Sequence, residues 1–331
     1  MTRGHPVAAG RCADAARRRI GGVGIIQLAF HAAVAGALHV NEVTVTSPTA
    51  SRLSFVKHGS DWTEGTCASR KSQSPVNLND MTMPAADFFP YYYRAASPGQ
   101  RFVMSNVGSL LSAHVASADL GGVALPTSSG GSPWYELVRI DFHAVSEHTL
   151  RGEHSSMEVQ LVHKALNTSK ENHELVIVSI LVDTDQPRER PTEWRVPELS
   201  WHVRQPAPDG NVSELGQGRG GPAERQHLFD AVLQPFLDPP SLGQSTEVTG
   251  PAPSLGNLLT NGSFLMYRGS ETTPPCRESV VWLVRRDTLK ASKVQVERLS
   301  KLLYNTTGGN GNYRTVMPLN QRRVVAVLGR E

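Results

Sequence analysis

The chain has 331 residues, enough for one large domain or two small ones, with 29 glycines, 22 prolines and 19% charged residues. That composition predicts many loops around a sizeable core and excludes a chain dominated by disorder. The formal charge of +3 comes from the first 37 residues, where Arg3, Arg11, Arg17, Arg18 and Arg19 stand against Asp14. The remainder holds 28 basic and 29 acidic residues, which excludes the basic face that a nucleic-acid binder keeps.

The chain opens on a targeting pattern. In "RRRIGGVGIIQLAFHAAVAGALHV" (17–40) a basic run precedes a weakly apolar stretch broken by Gln27, His31 and His39, and Ala35 and Ala37 form an A-x-A site. Residues 1–37 therefore read as a signal peptide, with a signal anchor as the alternative, and 38–54 as a linker. Cys12 leaves with such a leader, so Cys67 and Cys276 either form one pair in an oxidising compartment or stay as two thiols. Four sequons, at Asn167, Asn211, Asn261 and Asn305, agree with a secreted or cell-surface location.

Short alternating segments follow: "FVMS" (102–105), "LLSAHV" (110–115), "ELVRIDFHAV" (136–145), "SMEVQLVHKA" (156–165) and "ELVIVSILVDT" (174–184). Rich in Val, Leu and Ile and separated by turn residues, they predict a mostly antiparallel sheet. The last is apolar on both faces and belongs mid-sheet. Two of them set up a site by period alone. Asp141 and His143 lie on one face of their strand, and Gln160 on the polar face of the next, so two neighbouring strands would aim all three at one point. Residues 185–226 are dense in Pro, Gly and charge and read as a long surface excursion. "RQHLFDAVLQPFL" (225–237) has helical spacing, "SVVWLV" (279–284) reads as a buried strand and "KASKVQVERLSKLLY" (290–304) as a surface helix.

Four stretches then stand in a telling order: "SQSPVNL" (72–78) soon after Trp62, "SEHTLRGEHSSMEVQLVHK" (146–164), "GSETTPPCRESVVWLV" (269–284) and "NYRTVMPLNQRRV" (312–324). Together they resemble the α-class carbonic anhydrases, from about Phe55 to Val327, interrupted by the excursion. The resemblance implies one mainly β domain over 55–331: a large twisted, mostly antiparallel sheet with short peripheral helices and a conical site at its centre. It further implies a zinc ion (Zn2+) held by three His, whose bound hydroxide attacks CO2 to give bicarbonate.

The resemblance assigns roles to residues of this chain. Glu147 and Thr272 match the acid–hydroxyl pair that orients the zinc-bound water, and Thr273 the neighbouring Thr that places bicarbonate. Glu158 matches the carboxylate that orients a ligand His, and His148 and His163 match structural imidazoles. Cys67 and Cys276 match the pair that secreted members join. The ligand positions themselves depart from the pattern: where the family has three His, this chain has Asp141, His143 and Gln160. A neutral amide oxygen is a poor ligand for zinc, and an anionic one makes bound water less acidic than imidazoles do. A Gln160 amide can imitate the N–H that Glu158 receives in the family, at the cost of turning its oxygen toward the metal. Ser109 occupies the position of the proton-ferrying His of fast members, and Ser has no suitable pKa for that task. Glu271 stands where an apolar residue lines the CO2 pocket; it either charges that wall, turns outward or stays protonated, or replaces a ligand.

The expectation is therefore a secreted carbonic-anhydrase-like protein with impaired catalysis, acting as a binding module toward a protein or glycan partner. The alternative is a carbonate dehydratase working through an Asp/His/Gln zinc site.

Overall fold

The computed structural model describes residues 53–79, 87–94, 102–116, 120–126, 130–166, 173–184, 236, 239–248 and 255–331. The expected leader at 1–37, nearly all of the expected linker at 38–54, the expected excursion at 185–226, Asn167 and Asn211 lie outside them. So does the helix expected at 225–237, except for Phe236.

In chain order the strands begin with β1 (Asn77–Leu78), β2 (Asp87–Tyr93), β3 (Phe102–Asn106), β4 (Leu111–Val115) and β5 (Gly121–Ala124). Next come β6 (Trp134–His143), β7 (Thr149–Leu150), β8 (Glu153–His154), β9 (Met157–Ala165) and β10 (Leu175–Thr184). After β11 (Ser245–Val248), β12 (Ser263–Gly269), β13 (Val280–Arg285) and β14 (Leu289–Ala291) stands a helix, α1 (Lys293–Thr306), and β15 (Val325–Arg330) ends the fold.

Nearly all the strands join one twelve-stranded mixed sheet, while β1, β7 and β8 form a small one. β10 is buried along eight of its ten positions because its alternate side chains enter two cores, one on each face. It pairs antiparallel with β9 and parallel with β13, which gives it the mid-sheet place that its two apolar faces foretold. β9 in turn pairs antiparallel with β6, and β6 takes β4 beside its C-terminal half and β5 beside its N-terminal half. From β13 the pairing runs through β12, β15, β2 and β5 back to β6, so the sheet closes on itself like a barrel.

β5, "GGVA", shows why such closure needs glycine. A Cβ on Gly122 would stand 1.9 Å from the carbonyl oxygen of Tyr135, and Gly121 sits at φ +105° with Tyr92 as close.

The period of two sorts the side chains into two cores. Ile140, Phe142, Val159, Leu161, Val178 and Ile180 enter the larger core on one side of β6, β9 and β10. Val162, Ile177, Leu181 and Trp282 enter the smaller one on the other. α1 packs Val296, Leu299 and Leu303 onto the larger core. Each such burial stabilises by about 1.5–3 kcal/mol. The helix starts where the Ser292 hydroxyl accepts from the Gln295 amide, and it stops at Thr307, before Gly308 at φ +68°. A third cluster holds Phe55, Trp62, Cys67 and Cys276. The two cysteines form a disulfide with sulfurs 2.05 Å apart. No helix among the described residues is long and apolar enough to cross a membrane.

Candidate functional site

Strand register assembles the site. Asp141 on β6 lies opposite Gln160 on β9, and His143 opposite Glu158. On the outer edges Ser112 of β4 lies opposite Asp141, and Ser179 of β10 opposite Gln160. Opposed residues of antiparallel strands share a face, so Asp141, His143 and Gln160 come together on the side of the smaller core. All three are buried. The convergence expected from their spacing is present; the use made of each side chain differs from that of a metal ligand.

Asp141 is already paired. Its Oδ1 accepts from the Ser112 hydroxyl at 2.6 Å, and the Arg139 Nε lies 3.1 Å from Oδ1 and 2.8 Å from Oδ2. Arg139 stands two residues earlier on the same strand face, 28% exposed along its side chain. Gln160 turns its amide nitrogen inward, donating to Glu147 Oε2 at 2.8 Å and to Glu158 Oε1 at 3.0 Å. It does supply the N–H that Glu158 receives in the family, and it adds a second one to Glu147.

His143 donates from Nδ1 to the Asn312 carbonyl at 2.8 Å, with Glu147 Oε1 3.7 Å away. Burial alone would lower its pKa, but the charge of Glu147, the Asn312 carbonyl, and Glu158 and Asp141 together hold it above the usual histidine value. The imidazolium form is thereby favoured, whereas a metal requires the neutral ring.

Glu158 gathers five donors: the amides of Glu147 and His148, His148 Nδ1, Gln160 Nε2 and the Ser179 hydroxyl. Burial opposes its charge, but His148 beside it and these bonds bring its pKa down to about 2. His148 passes the network on to the Tyr267 hydroxyl at 2.6 Å, and Tyr267 donates to Ser74. His163 faces the opposite side of β9. It meets the Tyr93 hydroxyl at 2.6 Å and the Val176 carbonyl at 3.1 Å, and desolvation lowers its pKa to about 4. Both imidazoles sit in bonded core positions rather than beside Asp141.

The remaining expected residues are less united. Thr272 is buried, but no hydrogen bond among the described residues joins it to Glu147, whose oxygens go to Gln160 and to the Arg314 amide. Thr273 is half-buried. Glu271 is neither a bare charged wall nor a spare ligand: Arg277 takes both its oxygens, at 2.9 and 3.0 Å, and also reaches Glu174. Ser109 is half-buried in the turn before β4. Asn261 and Asn305 are exposed.

Three residues were missed. Asn312 clamps the end of β6, donating to the Phe142 carbonyl and accepting from the Ala144 amide. Arg314, wholly buried, donates to Gln73, to the Ser74 carbonyl and to the Cys67 carbonyl. Arg139 is the third, and the sequence carried its signal: a residue at i−2 on a strand shares the face of residue i.

These donors do not fit a catalytic zinc ion, which takes three protein ligands and leaves one open position. One imidazole remains, the carboxylate is occupied by a guanidinium, and the amide directs its N–H groups at two carboxylates. Among the described residues no three His, Cys, Asp or Glu side chains are grouped to hold a metal ion.

The model of the eukaryotic-type carbonic anhydrase family matches residues 57–207 and 221–328. Carbonic anhydrase 4 of Mus musculus is 25% identical over 273 residues, covering 78% of this chain and 76% of the relative. Dioscorin DB3S of Dioscorea polystachya is 26% identical over 263 residues, covering 78% and 77%. Among solved structures, carbonic anhydrase Cah3 from Chlamydomonas reinhardtii, in complex with acetazolamide, shares the fold. Its TM-score is 0.53 and its identity 22%, covering 80% of this chain and 93% of that one.

Proposed function

The chain belongs to the eukaryotic-type carbonic anhydrase family, and we propose that within it the protein is a catalytically impaired, exported member that works as a binding module toward a protein or glycan. One observation carries the loss of catalysis. Gln160, at a ligand position, donates both its amide bonds to Glu147 and Glu158. What the side chain has left for a metal is a neutral amide oxygen, a poor ligand for zinc, and the carboxylate that would orient water is engaged by the same amide. The leader pattern at 1–37 and the Cys67–Cys276 disulfide support export, since such bonds persist in oxidising compartments. Exposed Asn261 and Asn305 would then carry glycans, with Asn167 and Asn211 as further acceptors.

A second reading, a weak carbonate dehydratase with Asp141, His143 and Gln160 around zinc, draws on one feature. The Nδ1 bond of His143 to Asn312 leaves Nε2 as the acceptor of the neutral ring. Stopped-flow CO2 hydration by the purified secreted chain, with and without a sulfonamide, decides between the two. Our reading predicts a rate equal to that of buffer. A sulfonamide-inhibited rate overturns it.

A further inference from the structure

Arg139 has no counterpart among the roles that the family pattern hands out, yet it makes the closest charged contact at a ligand position. It follows the one irregularity in the β6–β9 pairing, between Leu137 and Arg139, and returns along the strand face to Asp141. With the Ser112 hydroxyl also donating to it, Asp141 has both its oxygens engaged by protein donors. The guanidinium keeps its charge at every accessible pH. It is also largely shielded from water, so its field reaches the neighbouring ligand positions with less screening than a surface charge would have.

We propose that Arg139 stands in for the charge of the family's metal and is the residue that sets this site against divalent transition-metal cations. It neutralises Asp141 from within the chain and repels any dication approaching His143. The inference rests on the proposed function, because it explains how an impaired site stays free of metal rather than being merely short of ligands. Restoring ligands alone is then insufficient: in the Asp141→His, Gln160→His variant the guanidinium loses its nearest carboxylate, keeps only the more distant charge of Glu271, and faces the new imidazoles.

The test compares charge-removing and charge-keeping changes at Arg139 in that doubly substituted background. Zinc affinity is read by competition with a chelating dye, Co2+ absorption reports tetrahedral ligation, and circular dichroism checks folding. Adding Arg139→Gln is expected to tighten Zn2+ binding on the order of tenfold or more, whereas Arg139→Lys should stay within about threefold of the double variant. Equal affinity of the Gln and Lys variants overturns the proposal. Should the His background fail to fold, the same comparison is made with Asp141 and Gln160 in place. There Arg139→Gln frees the carboxylate and should raise Co2+ affinity on the order of tenfold, and Arg139→Lys should not; equal values again overturn it. Stoichiometric zinc in the unaltered chain is a separate failure and counts against the proposed function.

Discussion

Gln160 and Glu147 are joined across the site by a 2.8 Å bond from amide nitrogen to carboxylate, where the family has an imidazole turned to metal and an acid turned to a threonine. The bond makes Gln160 a structural donor. Its replacement by Leu leaves Glu147 with the Arg314 amide and Glu158 with four other donors. Loss of about 1–3 kcal/mol is expected in urea denaturation, since buried acceptors lose a partner. Gln160→His, which still offers an N–H, should lose less. A Leu variant as stable as the native chain would show that the two carboxylates do not depend on this amide.

Acid should unfold the protein in two stages. His163 has its folded pKa lowered to about 4 from an ordinary 6.5, so the unfolded chain takes up the proton first. The stability it contributes is complete above about pH 6.5 and is lost as pH falls toward 4, up to about 3 kcal/mol. Glu158, lowered to about 2 from 4.5, contributes stability above about pH 4.5 that is lost as pH falls toward 2. His143, with a raised pKa, acts in the opposite sense: its contribution is present below pH 6.5 and is lost as pH rises through its folded value. Unfolding free energies of the native chain and of His163→Gln, measured from pH 7 to pH 3, should converge as pH falls from 6.5 to 4. A constant difference would remove His163 from the upper stage.

Asn312→Ala should cost about 2–5 kcal/mol, because the Phe142 carbonyl and the Ala144 amide, both buried, lose a side-chain partner at the end of β6. The His143 contact survives, since it uses the Asn312 backbone. Thermal melting checks this, and an unchanged midpoint would show that the strand end needs no clamp.

The disulfide closes a separation of 209 positions. Cys67→Ser with Cys276→Ser should destabilise the chain by about 2–5 kcal/mol. Alkylation of the denatured, unreduced protein should label neither cysteine, and a label on either would place the pair in its thiol form.

Much of the sheet was legible because period and composition agreed. The segments read at 102–105, 156–165 and 174–184 fall on β3, β9 and β10, and the helix read at 290–304 lies within a turn of α1. β2 was missed: Pro90 interrupts "DFFPYYY", and its parallel partner β15 lies far along the chain. β5 was missed because its first two residues are glycines. At the site, the convergence of Asp141, His143 and Gln160 followed from alternation alone. What each side chain grips did not, since Arg139, Asn312 and Arg314 reach the site from positions that the ligand pattern ignores. A period of two identifies a shared face, whereas the hydrogen bonds made there depend on every polar group the fold delivers to it.

Asp141, His143 and Gln160 are each bonded to protein partners, and we infer that they hold no catalytic ion. The most direct test of this inference is the zinc content of the secreted chain, purified without chelators and measured by inductively coupled plasma mass spectrometry against protein concentration. Far less than one zinc per chain is expected. One zinc per chain, lost together with His143→Ala, would contradict it.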